Sequence, residues 1–408
     1  MDFMSQLAIE GGNPVFTQPA PLPAWPPIYQ QTGEKLLQIY NSHRWSFYGS
    51  EELAFNEEFA AYTGAAYCSM MANGTVSLEL ALLALGVGPG DEVIVPAHTW
   101  LATGEAVVYT GATPVIVDIE PDTLCMDPEK FEQAITPKTK AVIPVHLFGS
   151  MADLDRILAI AAKHNIKVIE DCAHSHGGEW RNRHTGTWGD IGSFSFQESK
   201  LIASGEGGAC ITNDEILAEK LGRLSHIGYQ IGSKQGQKGT PPPMGLICRN
   251  YRVTEFQAAI LSGQLAHLKE DTIMRERNAE YLRKRIDALP GIKVQARGKH
   301  ATRQSYYIFS VIVDIDRLKQ GTTRSDIALA LQAEGISRIG GGWGRPMYHQ
   351  NLWSVPEDMY RIESNANAEE IVCNRLLVCQ LQWLMLPEKE TAMVADAFEK
   401  VMTHYYCD

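Results

Sequence analysis

The chain has 408 residues, 45% of them hydrophobic and 21% charged, with a formal net charge of −12 at pH 7. The length leaves room for two domains, the composition is that of an ordinary globular protein, and the acidic balance argues against a nucleic-acid partner, which would need a broad basic face. The eight cysteines form no C-x-x-C pair and several sit inside apolar runs, so free thiols in a reducing cytoplasm are expected rather than a disulfide framework.

Residues 1–30 are proline-rich and irregular, an arm expected to wrap on the body or on a partner surface. Residues 1–27 lack the continuous apolar core of a secretory signal. Helical spacing starts near Thr32 (Leu36, Leu37, Ile39, Tyr40) and returns from Glu51 to Ala61 (Leu53, Phe55, Phe59). Between them, Arg44-Trp45-Ser46-Phe47-Tyr48-Gly49 is an aromatic loop that faces a ligand or a subunit, or simply packs.

From Tyr67 the chain alternates. Strands are expected at Tyr67–Met71, Glu92–Pro96, Pro114–Asp118, Ala141–Val145 and Lys167–Asp171, and helices at Thr75–Leu85, Trp100–Tyr109, Pro128–Ile135 and Ala152–His164. The longest apolar run, around Leu78 to Leu85, is interrupted by Glu79 and too short for a bilayer, so no membrane partner is expected. This alternation predicts an α/β fold with a mainly parallel central sheet flanked by helices, whose ligands sit at the carboxyl ends of the strands.

After Gly208 a helix is expected near Asp214–Leu224, then a polar loop containing Pro241-Pro242-Pro243. Thr254-x-x-Gln257 reads as a capping box that opens a long helix through Leu268 and on toward Leu289. From Gly291 the texture changes, with strands expected at Tyr306–Val313 and Gly335–Ile339 and helices at Ser325–Ala333, Ala366–Arg375 and Glu388–Met402. The expected division is a large domain over residues 1–270, including the arm 1–30, and a small C-terminal α+β domain over 271–408.

Several polar residues fall where such a sheet would present them. Lys200 closes Ser193-Phe194-Ser195-Phe196-Gln197-Glu198-Ser199-Lys200 and is followed by Gly205-Glu206-Gly207-Gly208. Most lysines lie solvated on the surface, but glycines here let backbone and ligand come close. Asp171 ends one strand, where an isolated aspartate is as readily a turn cap as a site carboxylate. His174 and His176 form a His-x-His pair, but no third metal ligand is evident nearby, and a packed histidine is the plain alternative. Trp100 follows another strand and either packs in the core or stacks on a ligand. Asn73-Gly74-Thr75 stands before a helix, where free backbone N–H groups make an anion site, although Asn-Gly is also a common turn. No G-x-G-x-x-G follows the first strand, which disfavours a NAD-linked oxidoreductase.

Taken in register, these segments resemble the DegT/DnrJ/EryC1/StrS family of pyridoxal phosphate-dependent sugar aminotransferases, over roughly residues 30–400. Glu170-Asp171-Cys172-Ala173-His174-Ser175-His176-Gly177 fits the family pattern E-D-x-A-x-x-x-G, and Pro144-Val145-His146-Leu147-Phe148-Gly149 and Gln257-Ala258-Ala259-Ile260 fit it too. The resemblance implies the fold type I architecture and a homodimer with shared active sites. It implies that Lys200 holds pyridoxal 5′-phosphate as a Schiff base and that Asp171 keeps the pyridine nitrogen protonated, so that the ring takes up electrons. It further places His174 near the phenolic oxygen, Trp100 on the ring face, Gly74, Thr75 and Ser195 at the phosphate, and Asn250 at the phosphate of the neighbouring subunit. No metal is implied.

Phe196–Lys200 and Pro21-Leu22-Pro23-Ala24-Trp25-Pro26 look closest to aminocyclitol aminotransferases, such as glutamine:scyllo-inosose enzymes, and to aminohydroxybenzoate synthases. The expected activity is transfer of an amino group from L-glutamine or L-glutamate to a cyclic ketone, a keto-cyclitol or keto-sugar, in aminocyclitol or antibiotic-type biosynthesis. Alternatives are an aminohydroxybenzoate synthase-like enzyme, a nucleotide-keto-sugar aminotransferase and a cofactor-binding regulatory protein. Sugar-dehydrating relatives lack the lysine, so Lys200 argues against that chemistry. The Gly340–His349 loop fits no pattern of the family and is expected at the substrate mouth.

Overall fold

Strands buried on both faces belong inside a sheet covered by helices, and Glu92–Pro96, Thr113–Val117, Ile191–Ser195 and Gly208–Thr212 are buried almost throughout. The computed structural model describes residues 6–407. The first five residues of the expected arm and Asp408 lie outside the described residues.

In chain order the strands are β1 (Tyr67–Met71), β2 (Glu92–Pro96), β3 (Thr113–Val117), β4 (Thr139–Val142), β5 (Lys167–Asp171), β6 (Glu179–Trp180), β7 (Arg183–His184), β8 (Ile191–Ser195), β9 (Gly208–Thr212), β10 (Ile292–Val294), β11 (Ala301–Arg303), β12 (Ile308–Val313), β13 (Arg361–Ile362) and β14 (Leu376–Gln380). The helices are α1 (Gln30–Ser42), α2 (Ser50–Thr63), α3 (Gly74–Ala84), α4 (Ala102–Tyr109), α5 (Pro128–Gln133), α6 (Leu154–His164), α7 (Glu215–Ser225), α8 (Glu255–Ile286), α9 (Arg324–Ala333) and α10 (Glu388–Tyr405), with a π-type turn of chain over Ala368–Arg375.

The main sheet has the order β1-β9-β8-β5-β4-β2-β3-β13. It is parallel from β8 to β13, while β9 runs antiparallel to both β8 and β1. Two antiparallel pairings in succession leave β1 pointing the same way as β8. The carboxyl ends of β1, β2, β5 and β8 therefore share one edge. This is the expected mainly parallel α/β sheet.

A second apolar core gathers the antiparallel sheet β10-β12-β14 with α9, α10 and the last turns of α8. The capping box at Thr254 and Gln257 is formed, and α8 runs unbroken from Glu255 to Ile286. It packs Ala258, Leu261 and Leu268 beside the main sheet and Ala279, Leu282 and Ile286 in the second core. The arm folds onto its own chain. Leu7 and Phe16 are buried in the second core, and the Ala8 and Val15 N–H groups donate to Glu334, whose carboxylate pairs with buried Lys400 at 2.9 Å.

The strand expected at Gly335–Ile339 does not form. Gly335 adopts φ +105 and Arg338 φ +59, and left-handed residues at both positions turn the chain instead of extending it. Only Gly340 pairs, with Val378 of β14. All eight cysteines are free. Among the described residues no helix is long and apolar enough to cross a membrane.

Candidate active site

A cavity of about 930 Å³ opens at the edge where β1, β2, β5 and β8 end. Gly74, Thr75, Trp100, Asp171, His174, Ser195 and Lys200 all line it. They come from four places on the sheet, the carboxyl ends of β1, β2, β5 and β8, and the shared strand direction brings them together.

The turn before α3 is shaped by close packing. Asn73 caps the helix, its side chain accepting from the Val76 N–H at 2.9 Å. A Cβ on Gly74 would stand 2.5 Å from the Ser195 Cβ, and one on Gly208 2.3 Å from the Asn73 carbonyl oxygen. Only glycine lets this loop close on β8 and β9. The result is a helix N-terminus facing a serine hydroxyl across a narrow cradle, a donor set suited to a phosphate.

Lys200 is held by its loop. The Gln264 side chain of α8 accepts from the Ala203 N–H at 2.8 Å and donates to the Ala203 carbonyl at 2.7 Å. The Trp25 indole N–H donates to the Lys200 carbonyl at 3.2 Å. The lysine amine then lies over the Tyr307 ring, 4.7 Å from its centre, and the Tyr307 hydroxyl is 2.8 Å from the Ser199 hydroxyl. Burial lowers the lysine pKa to about 8, while the negative charge of Asp171 pulls it upward.

Asp171 and Glu170 point to opposite faces of β5, as neighbours on a strand must. Glu170 is locked, accepting from the Gly186, Trp188 and Gly189 N–H groups. His146 accepts from the Ala152 N–H on Nδ1, so its Nε2 carries the proton and donates to Glu170 at 3.1 Å. This brace also explains why His146, Glu170 and Cys172 cluster like metal ligands: the carboxylate is already saturated. On the cavity face, the Asp171 carboxylate accepts from the Thr103 hydroxyl at 2.9 Å and the Ala173 N–H at 3.2 Å. Burial raises its pKa, and these two hydrogen bonds and the Lys200 charge oppose that rise.

The His174 ring stacks on Tyr307 at 4.4 Å, and its Nδ1 accepts from the Phe148 N–H at 3.3 Å. Burial and the neighbouring Lys200 hold it well below the usual histidine range, so it is neutral. Among the described residues, neither ring nitrogen of buried His176 finds a hydrogen-bond partner.

Residues 27–397 match the model of the DegT/DnrJ/EryC1/StrS aminotransferase family. The chain belongs to that family. Along 98% of its length it is 42% identical to an L-glutamine:2-deoxy-scyllo-inosose aminotransferase of Streptoalloteichus tenebrarius, covering 98% of that protein. Among solved structures it superposes on a 3-amino-5-hydroxybenzoic acid synthase with a TM-score of 0.84 at 29% identity, covering 95% of this chain and all of that one. It superposes equally on an aminotransferase from Psychrobacter cryohalolentis, with a TM-score of 0.85 at 30% identity over 94% and 99% of the two chains. The aminotransferase is thus of fold type I, as the motif resemblance implied.

Asn250 stands apart. It is exposed and outside the cavity of its own chain, bridging His226 through the backbone, although its neighbours Arg249 and Tyr251 line that cavity. Three further residues were not singled out from the sequence, Thr103, Gln264 and Tyr307, whereas Trp343, which lines the cavity, belongs to the Gly340–His349 loop expected at the substrate mouth. Thr103 stands one helical turn beyond Thr99, whose hydroxyl lies 3.0 Å from its own, and that spacing was the one local signal available.

Proposed function

We propose that this aminotransferase uses pyridoxal 5′-phosphate to move the amino group of L-glutamine onto a keto-cyclitol. One observation carries the reading: the Lys200 amine and the Asp171 carboxylate face one cavity together with a tryptophan and an open helix N-terminus. Support for the substrates comes from the relative that is 42% identical and named for glutamine and 2-deoxy-scyllo-inosose. A 3-amino-5-hydroxybenzoic acid synthase-like activity draws support from the structural likeness, at a lower identity of 29%.

The residues present suit the cofactor. Lys200 would hold it covalently, Asp171 would face its pyridine nitrogen, Trp100 and His174 would flank the ring, and Gly74, Thr75 and Ser195 would receive the phosphate. Asn250 would reach the phosphate of the other subunit in a homodimer with shared sites. Once bound, the cofactor supplies an electron sink for the carbon that loses its proton. Lys200 Nζ is the base that takes the proton from the donor α-carbon and the acid that returns one to the carbon gaining the amine. A pKa of about 8 suits both duties near neutral pH. Asp171, anchored by Thr103, favours positive charge at the atom it faces. The surrounding aromatic side chains limit water at the reacting carbon.

We also read the chain as a large domain over 1–270 and a small one over 271–408; the separate second apolar core supports this for most of the chain, with α8 passing between them, while Leu7 and Phe16 of the arm pack in the second core and β13 joins the main sheet.

The test is a half-reaction. The purified, cofactor-loaded protein is mixed with single amino acids and the cofactor absorbance is followed. Glutamine should bleach the band, and a keto-cyclitol should restore it. A protein that no donor bleaches does not work in this way.

A further inference from the structure

The turn that carries Trp343 is built to hold one side chain in place. The Gly344 N–H donates to the Gly341 carbonyl at 3.0 Å, with Gly342 at φ +61 in the second position, where turns of this kind require a left-handed residue. A Cβ on Gly341 would lie 2.7 Å from the Arg324 guanidinium carbon. Both flanks are tied down. Gly340 exchanges two backbone hydrogen bonds with Val378 of β14, and the Met347 N–H donates to the Ala97 carbonyl at 2.8 Å. The Gln350 side chain donates to the Thr99 carbonyl at 3.0 Å. Trp343 is thereby fixed between the small sheet and the loop that bears Trp100.

Its ring centre lies 5.9 Å from that of Trp100 and 6.1 Å from that of His174, with His98 and Phe148 at 5.5 and 5.6 Å. From His174 the row continues through Tyr307 to the Lys200 amine. An aromatic arc thus leads from the half-exposed Trp100 to the reactive nitrogen. A six-membered ring with hydroxyls around its rim presents C–H groups on its faces, and a flat indole is the natural partner for such a face. Polar side chains of the same cavity, among them Gln197, Glu206 and Arg249, are available to the rim.

Building on the keto-cyclitol reading above, we propose that Trp343 determines acceptor specificity, its indole serving as the platform on which the face of the cyclic ketone rests. Glutamine is an open-chain donor and has no ring face to lay on this platform. The two half-reactions therefore separate its role from a general structural one.

The experiment compares the cofactor-loaded full chain with W343L, which keeps bulk but loses the flat face, and W343F, which keeps a face. Three quantities are read: the rate of bleaching by glutamine, the KM for 2-deoxy-scyllo-inosose, and calorimetric binding of scyllo-inositol, an unreactive ring. W343L should raise the KM and weaken scyllo-inositol binding about tenfold, with the glutamine rate within about twofold of wild type, whereas W343F should retain most of the affinity. The proposal is overturned if W343L binds scyllo-inositol like wild type, if W343F loses as much as W343L, or if the glutamine step falls in parallel. A wild type that binds the cyclitol yet never aminates the ketone overturns the keto-cyclitol reading instead, and the binding comparison still judges the platform.

Discussion

The Lys200 amine lies over the face of Tyr307, 4.7 Å from the ring centre, although 107 positions separate the two residues in sequence. The ring closes one side of the lysine's surroundings and removes water, which is why burial brings its pKa to about 8. Uptake of pyridoxal phosphate by the cofactor-free protein needs the unprotonated amine, so its rate should climb to about pH 8 and level off above it. The Asp171 charge raises the lysine pKa, so Asp171→Asn should move the curve toward lower pH. Stopped-flow absorbance decides: a plateau reached only near the ordinary lysine value of about 10.4, or a shift to higher pH in the variant, removes the electrostatic account.

Gly74→Ala places a methyl group 2.5 Å from the Ser195 Cβ. The α3 turn must then draw back from β8, widening the cradle assigned to the phosphate. Overpacking of this kind costs about 1–3 kcal/mol, so the dissociation constant for the cofactor should rise about tenfold or more. Equilibrium titration checks this, and an unchanged constant would place the phosphate elsewhere.

Gln264→Leu removes both hydrogen bonds to Ala203 and leaves a buried N–H and carbonyl without partners. The expected loss is about 2 kcal/mol or more of stability, read from urea unfolding of the cofactor-free protein. Borohydride trapping should also become slower, because the Lys200 loop is no longer clamped. Wild-type stability in this variant would mean that the loop is held by its own turns alone.

The last prediction concerns the second subunit. Asn250 is exposed and outside its own chain's cavity, and an isologous dimer would bring it to the partner's site twice over. Lys200→Ala and Asn250→Ala subunits, each nearly inactive alone, are mixed to form heterodimers. With Asn250 serving the opposite site, both lesions fall on one site and the other is intact, so activity returns toward half of wild type per mixed dimer. If the mixture stays as weak as its parents, Asn250 serves its own subunit.

Local pattern carried much of the molecule. The strands β1, β2 and β5 form over the expected bounds: β2 is apolar nearly throughout, as a strand buried on both faces must be, and in β5 the apolar pair Val168-Ile169 leads into the carboxylates Glu170 and Asp171 at its end. Thr254 and Gln257 announce α8 because a capping box acts within four residues. Lys200, Asp171, Trp100 and Gly74 could be picked out because each stands at the carboxyl end of a strand or in the loop that follows it, where the sheet's direction puts ligands. Strand order and long-range packing decided the rest. Gln264 and Tyr307 reach the Lys200 loop only because α8 and β12, which Tyr307 immediately precedes, touch both cores, and Trp343 reaches the cavity because its turn is tied to β14 on one side and to Ala97 on the other. Gly335–Ile339 failed as a strand for the converse reason: its apolar residues suit one, but the left-handed backbone that closes α9 turns the chain away. A residue's neighbours along the chain set its local conformation, whereas its partners across the cavity depend on how distant elements pack, and no local spacing encodes that.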